Sequence, residues 1–299
     1  MFFSIDFNPY SHMPSKTPVL VVGLARSGTS LVSQILGSLP GVHIEAVSHV
    51  LWRSGNFKYL NDEEYDINEH IVRNIRNRFA EGVADKFLVE KSPINCLRPF
   101  LVHAVFPHAK IVYLEQDPVR CVYSGYLHSV TKDSFKTSSI LKKYLLYTGS
   151  RDLSCAVSKR KIWHQLSAAD IPVFFYYNAF MFYHRQFTNL LPFGPKMKNF
   201  TSIVRDKGLL YYHAELYKTG IAYKKIYKSL YGDRLCTFRM EDIITNENEI
   251  KRLIEFSGIP YDEGNICGIG KTPPILRAEA FVQPGSMEDE IRNLLQNIV

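Results

Sequence analysis

Apolar positions along the first 130 residues alternate between two rhythms. Val19-Leu20-Val21-Val22 is an uninterrupted apolar run, the pattern of a strand buried on both faces. Leu31, Ile35, Leu36 and Leu39 then recur at helical spacing and predict a helix over 29–39. Val42–Ile44 reads as a short strand. Ile67, Ile71, Ile75 and Phe79, four residues apart, predict a helix over Asp66–Glu81. Strand Phe87–Val89, helix Pro99–Phe106 and strand Lys110–Leu114 follow, and Asp117 opens a further helix with Pro118 in its first turn. Strands separated by helices pair in parallel through crossovers, so the expected class is α/β: three layers, with a central parallel sheet flanked by helices.

This rhythm breaks between about 132 and 205, a stretch rich in Lys, Ser, Tyr and Phe. It is expected to be an irregular helical insertion within a single domain over 1–299, shaping the side where an acceptor binds. Within it, DIPVFFYYNAFMFYH is so aromatic that it reads as core, as a lid over an acceptor pocket, or as a lipid contact. The pattern resumes with a helix over Leu210–Tyr231, a strand over Leu235–Arg239 and a helix over Glu247–Ser257. After a Gly/Pro-rich loop, a last helix is expected over Ser286–Ile298, with Ser286 as its N-cap. There is no internal repeat and no low-complexity tract.

Composition narrows the class. With 46% hydrophobic and 22% charged residues, the chain is folded rather than disordered. A formal net charge of +7 favours an anionic ligand or acceptor. Lys and Arg form no stripe interleaved with aromatics, so nucleic acid is not an expected partner. Cys96, Cys121, Cys155, Cys236 and Cys267 lie far apart, without a C-x-x-C pair, which argues against a zinc site or disulfide framework and for a reducing compartment. MFFSIDFNPYSHMPSK is a poor signal peptide, and no apolar run approaches the roughly 20 residues of a membrane span. A cytoplasmic protein without a transmembrane segment is expected.

The candidate chemistry starts at GLARSGTS, Gly23–Ser30. A strand, a glycine-bearing turn and a helix together make an anion site, because the turn's amides and the helix N-terminus point at one spot. Gly23 and Gly28 allow close backbone approach, Thr29 and Ser30 add hydroxyls, and Arg26 adds a planar cation suited to tetrahedral oxyanions. A nucleotide-hydrolysing loop has lysine where this chain has Thr29. Three consecutive phosphates are therefore poorly neutralised, and one phosphate carrying one attached group fits better. The dinucleotide pattern G-x-G-x-x-G is absent.

RSGTSL after a buried strand resembles the 5′-phosphosulfate loop of sulfotransferases that use 3′-phosphoadenosine-5′-phosphosulfate (PAPS), a family built on a P-loop NTPase-like fold. LGSLPGVHIEAVSHVLW, VEKSPINCLRPFLVHAVFPHAKIVYLEQDPVRCVYSGYLH and YGDRLCTFRMEDIITNENEIKRLIEFSGIP resemble, in the same order, later blocks of the protein-tyrosine and bacterial members. The resemblance implies that Arg26, Ser27, Gly28, Thr29 and Ser30 hold the 5′-phosphosulfate. It implies that Ser124 meets the 3′-phosphate, that Glu45 is the general base toward the acceptor, and that Lys91 stabilises the leaving phosphate. The family's arginine eight residues before that serine falls on Gln116 here; Arg120, one helical turn before Ser124, is the expected substitute. His43 and His49 are rival bases, and Lys271 is a weaker match to a basic loop that reaches the 3′-phosphate. The implied donor is PAPS, without a metal, and the implied acceptor is a hydroxyl or amine of a glycan, a peptidyl tyrosine or a small metabolite. Two other readings stay open: a P-loop kinase or hydrolase, for which Glu115 at the end of IVYLE imitates a metal-binding acid, and a non-catalytic nucleotide binder, at which Gln116 hints.

Overall fold

In a computed structural model of the chain, residues 15–46, 49–81, 83, 85–131, 166–262 and 285–297 are described. Five parallel strands form one sheet: β1 (Val19–Gly23), β2 (Val42–Ala46), β3 (Phe87–Lys91), β4 (Lys110–Glu115) and β5 (Leu235–Arg239), in the order β2-β3-β1-β4-β5. The helices are α1 (Thr29–Gly37), α2 (His49–Trp52), α3 (Glu69–Ala80), α4 (Pro99–Val105), α5 (Pro118–Val130), α6 (Asp170–Tyr183), α7 (Phe200–Tyr231), α8 (Met240–Thr245), α9 (Glu247–Ser257) and α10 (Glu288–Asn297). This is the expected α/β class, a parallel sheet between helical layers.

β1 is apolar throughout because both its faces are covered. Val19 and Val21 pack with Leu31, Ile35, Leu36, Leu253 and Ile254 of α1 and α9. Leu20 and Val22 pack on the other face with Ile75, Leu101, Tyr212 and Leu216 of α3, α4 and α7. The chain runs from β1 outward to β2, returns through β3, and crosses to β4 and β5. The order of winding therefore reverses around β1, and ligands of open α/β sheets bind at the carboxyl ends of the strands at such a reversal. The glycine-bearing loop occupies that point.

Long helix α7 backs the sheet, pinned by buried tyrosines. Tyr113 donates to Gly220 O at 3.0 Å, Tyr227 to Asn95 O at 2.6 Å and Tyr231 to Phe106 O at 3.0 Å. The helix expected from 210 begins ten residues earlier, at Phe200, and contains one non-helical residue, Gly208 (φ 86°, ψ 169°). The expected end of the insertion at 205 thus falls inside α7.

Three smaller expectations need correction. Ile67 is 44% exposed and precedes α3, which starts at Glu69 because the Asn68 side chain caps it, accepting from Ile71 N at 3.0 Å. Ser286 lies within a 3₁₀ turn, Gly285–Met287, and α10 begins after it. The aromatic segment forms α6, but it is not core: of α6 only Asp170 and Phe174 are buried, while Phe175 is 56% and Tyr176 60% exposed. Helix α6 is held instead by Asp170, which accepts from Gly55 N at 3.0 Å and Ser167 Oγ at 2.7 Å. Of the described cysteines, Cys96, Cys121 and Cys236 are free thiols.

Candidate active site

The loop between β1 and α1 is shaped by left-handed backbone at two positions, Arg26 (φ 76°) and Gly28 (φ 87°). Ser27 closes the turn between them, its amide donating to Leu24 O at 3.1 Å and its hydroxyl to the same oxygen at 2.7 Å. That hydroxyl proton is spent on the loop itself, so Ser27 offers its backbone to a ligand. The glycines are required by space as well as by angle. A Cβ on Gly23 would lie 2.6 Å from Ser27 Oγ and 2.8 Å from Leu114 O, and one on Gly28 would overlap Met240 Sδ at 2.0 Å. Helix α1 begins with no side-chain cap and no acid in its first turn. Its first amides, the buried Thr29 and the exposed Ser30 therefore converge on a spot that suits an anion. Arg26, a non-glycine residue held left-handed at a cost on the order of 1–2 kcal/mol, donates from Nε to Ser124 Oγ at 3.1 Å. The loop and α5 are thus joined by the two residues expected to serve the two phosphates.

Arg120 and Ser124 share a face of α5 but open to different surroundings. Arg120 lines a polar cavity of about 270 Å³ with Asp117, Arg239, Glu241 and Arg292, between the first turn of α5, the end of β5 and α10. Gln116 turns the other way, buried beside Leu24, Ser27, Cys121 and Tyr217. The cavity at Arg120 was not legible in sequence, because Arg239 and Arg292 lie more than 100 residues further along the chain. The same stretch after β5 braces both sides of the site: Met240 lies against Gly28, and Glu241 Oε1 accepts from Asp117 N at 2.9 Å. Lys271 lies outside the described residues.

The acid–base candidates lie on β2 and β3. Glu45 is buried at the carboxyl end of β2, with His43 Nε2 3.5 Å from its Oε2. Strand β3 separates β2 from β1, so Glu45 stands two strand spacings, about 10 Å, from the loop strand rather than beside it. Lys91 is buried and sits next to β1, in register with Val21. Strand alternation places Lys91 on the α1 face with Val89, and Glu45 on the opposite face with His43 and Glu90. The structure therefore brings Arg26 and Ser124 together, sets Lys91 on the strand adjoining the loop, and gives Glu45 a different companion. That companion, Glu90, is fully buried and accepts from Trp52 Nε1 at 2.8 Å and Asn95 Nδ2 at 3.1 Å. Burial pushes its carboxyl up to about 7 against the nearby Ser92 hydroxyl and the hydrogen bond from Trp52, with the charge of Glu45 adding to the rise. The signal for Glu90 was present in the sequence: a carboxylate inside a strand otherwise apolar on that face. His49 opens α2, half-buried. Glu115 is engaged by Lys224 at 2.7 Å.

Another buried pair imitates a nucleophile and base. Ser129 Oγ lies 2.7 Å from His213 Nε2, but both are buried. Ser129 also donates to Gly125 O at 2.9 Å and accepts from Phe193 N at 2.9 Å, so it fastens the 190s loop to α5.

Taken together, sheet order, loop and uncapped helix describe an α/β protein with a glycine-bearing turn at the carboxyl end of its central strand. Residues 18–152 match the model of the sulfotransferase family, a span that runs from β1 past the end of α5. The likeness to sulfotransferases read from RSGTSL and from the blocks that follow it up to SGYLH is thereby borne out; the later block from Tyr231 lies outside the matched span. An uncharacterized protein of Aquifex aeolicus (strain VF5) is 25% identical over 130 residues, 38% of this chain; the chain spans only 17% of that relative's length. Among solved structures, a sulfotransferase from Alicyclobacillus acidocaldarius is 16% identical with a TM-score of 0.42, covering 95% of this chain and 98% of its own. The sulfotransferase domain of the Synechococcus PCC 7002 olefin synthase is 11% identical with a TM-score of 0.45, covering 97% of each.

Proposed function

We propose that the protein transfers a sulfuryl group from PAPS to a hydroxyl or amine of an acceptor, such as a glycan, a peptidyl tyrosine or a small metabolite. The observation that carries this reading is the bridge from Arg26 to Ser124 above an uncapped α1: one cation and a ring of amides at a single anion position, with Thr29 where a triphosphate would need lysine. The residues present fit a 5′-phosphosulfate, because left-handed Arg26 and Gly28 turn the loop around its own amides. When bound, the donor supplies the sulfuryl group and a phosphate leaving group. Arg26, the loop amides, Thr29 and Ser30 hold the transferring end, and Lys91 at the adjoining strand end stabilises charge on the departing oxygen. Ser124, with Arg120 one turn away, receives the 3′-phosphate in place of the arginine that Gln116 replaces. Glu45 takes the acceptor's proton. Positioning and electrostatics carry the rate, without a metal. No helix among the described residues is long and apolar enough to cross a membrane. The reading includes a cytoplasmic site of action and one domain whose 132–205 segment shapes the acceptor side.

The competing kinase or hydrolase reading loses support at Glu115, whose carboxylate is engaged by Lys224. Calorimetric titration separates the two. The expected result is tight binding of adenosine 3′,5′-bisphosphate, at least tenfold weaker binding of ATP, and loss of both PAPS binding and sulfuryl transfer in Arg26→Ala. Equal or stronger binding of ATP overturns the proposal.

A further inference from the structure

A carboxylate inside a parallel sheet is costly unless donors or cations surround it. Glu90 meets this cost with two fixed donors. Trp52 is fully buried, with its ring centroid 5.3 Å from that of Phe79 and 6.0 Å from that of Phe106. Asn95 sits in the 3₁₀ turn Pro93–Leu97, where its carbonyl accepts from Tyr227. Both oxygens of Glu90 are thereby held in one orientation. The residue directly across in register, on the same face of β2, is Glu45, one strand spacing away, about 4.8 Å between backbones. The facing groups are therefore Glu45 from β2, with His43 on its far side; Trp52 from α2; and Ser92 and Asn95 from the stretch after β3; Lys91, next along β3, points to the other face and acts on Glu90 through its charge alone. A buried structural acid ordinarily neutralises a cation. This one is aligned against a second carboxylate.

We propose that Glu90 is a positioning residue for the proton-accepting step: a switchable negative charge behind Glu45, so that the pair governs how readily the acceptor is deprotonated. This rests on the sulfuryl-transfer reading above. In the step, the acceptor O–H or N–H gives its proton to a Glu45 oxygen as the acceptor's heteroatom bonds to sulfur. The sulfur–oxygen bond to the 5′-phosphate breaks, and its electron pair leaves with the phosphate. Ionised Glu90 strengthens the pull of Glu45 on the arriving proton, whereas protonated Glu90 removes that help. Burial, reinforced by the charge of Glu45 and opposed by Ser92, Trp52 and Lys91, sets this change close to neutrality.

Difference infrared spectroscopy of the ligand-free protein, titrated from about pH 5 to about pH 9, reads the pair without activity. The expected result is a protonated-carboxyl band lost with a midpoint near 7, absent in Glu90→Gln and shifted to lower pH in Glu45→Gln. In turnover, wild-type kcat is expected to rise roughly three- to tenfold across neutral pH, while Glu90→Gln loses that rise with little change in KM. A midpoint unmoved by Glu45→Gln, or a Glu90→Gln profile that still rises, overturns the inference. If Glu90→Gln fails to fold by circular dichroism, the Glu45→Gln titration decides. A wild-type protein that transfers nothing defeats the functional reading, whereas an active one with an uncoupled pair defeats only this inference.

Discussion

Arg26 concentrates the residue-scale argument. Non-glycine residues avoid the left-handed region because Cβ crowds the following carbonyl, yet Arg26 is held there at φ 76°. Its side chain is what a glycine cannot supply, a guanidinium aimed at Ser124. Backbone and the proposed donor therefore make opposite demands at this position. Arg26→Gly is expected to be more stable than Arg26→Ala by about 1 kcal/mol, measured by urea unfolding, while both lose the bisphosphate. A glycine variant no more stable than the alanine variant would mean that the loop carries no strain at 26. Sequence pattern foretold the side chain at this position, but the backbone angle became visible only in the fold.

At the scale of elements, the predictable pieces were those whose burial is decided locally. β5 and α9 fall at the boundaries expected from their apolar spacing, Leu235–Arg239 and Glu247–Ser257. α7 ends at the expected Tyr231 but starts ten residues early, at Phe200, because the break at Gly208 separates its first turns from the run that begins at Leu210. Gly208 is the tell-tale of its interruption: φ 86°, ψ 169° is backbone that only glycine adopts cheaply. A Cβ there meets nothing within 4 Å, so Gly208→Ala isolates the backbone cost, expected at about 1–3 kcal/mol in chemical denaturation. An unchanged stability would show that α7 runs through 208 without the break.

Across the whole molecule, buried titratable groups set opposing pH dependences. Lys196 is partly exposed as a residue, but its ammonium turns inward to Gly194 O; burial draws it down to about 8, against the pull of Asp62. Between that value and 10.5 the unfolded chain holds a proton that the folded chain lacks, so stability rises with pH in this window. His213, lowered to about 3 by burial, acts in the same sense below 6.5: stability falls as pH drops toward 3. Glu90 is opposite in sign, since the folded chain holds the extra proton between 4.5 and about 7 and stability falls as pH rises there. Buried Cys96 and Cys121, whose thiols burial holds protonated above their ordinary 9.0, reverse the alkaline gain first, and buried Tyr113 and Tyr227, raised above 10.0, add to the reversal. Unfolding free energy measured by urea titration is thus expected to climb only from pH 8 to about pH 9 and to fall beyond it, and Lys196→Met is expected to flatten that climb. A variant with the wild-type slope would refute the assignment to Lys196.

The chain by itself determined the α/β class, the strand and helix order and the place of the glycine-bearing loop, because each depends on spacing within a dozen residues: an apolar run, a helical period, a glycine beside a hydroxyl. It also marked Glu45, Lys91, Arg120 and Ser124 as candidates. Only the tertiary structure decided their company, because register and strand order are set by packing between distant segments. It set Arg26 against Ser124, put Lys91 on the face away from Glu45, turned Gln116 inward while Arg120 met Arg239 and Arg292, and aligned Glu90 with Glu45.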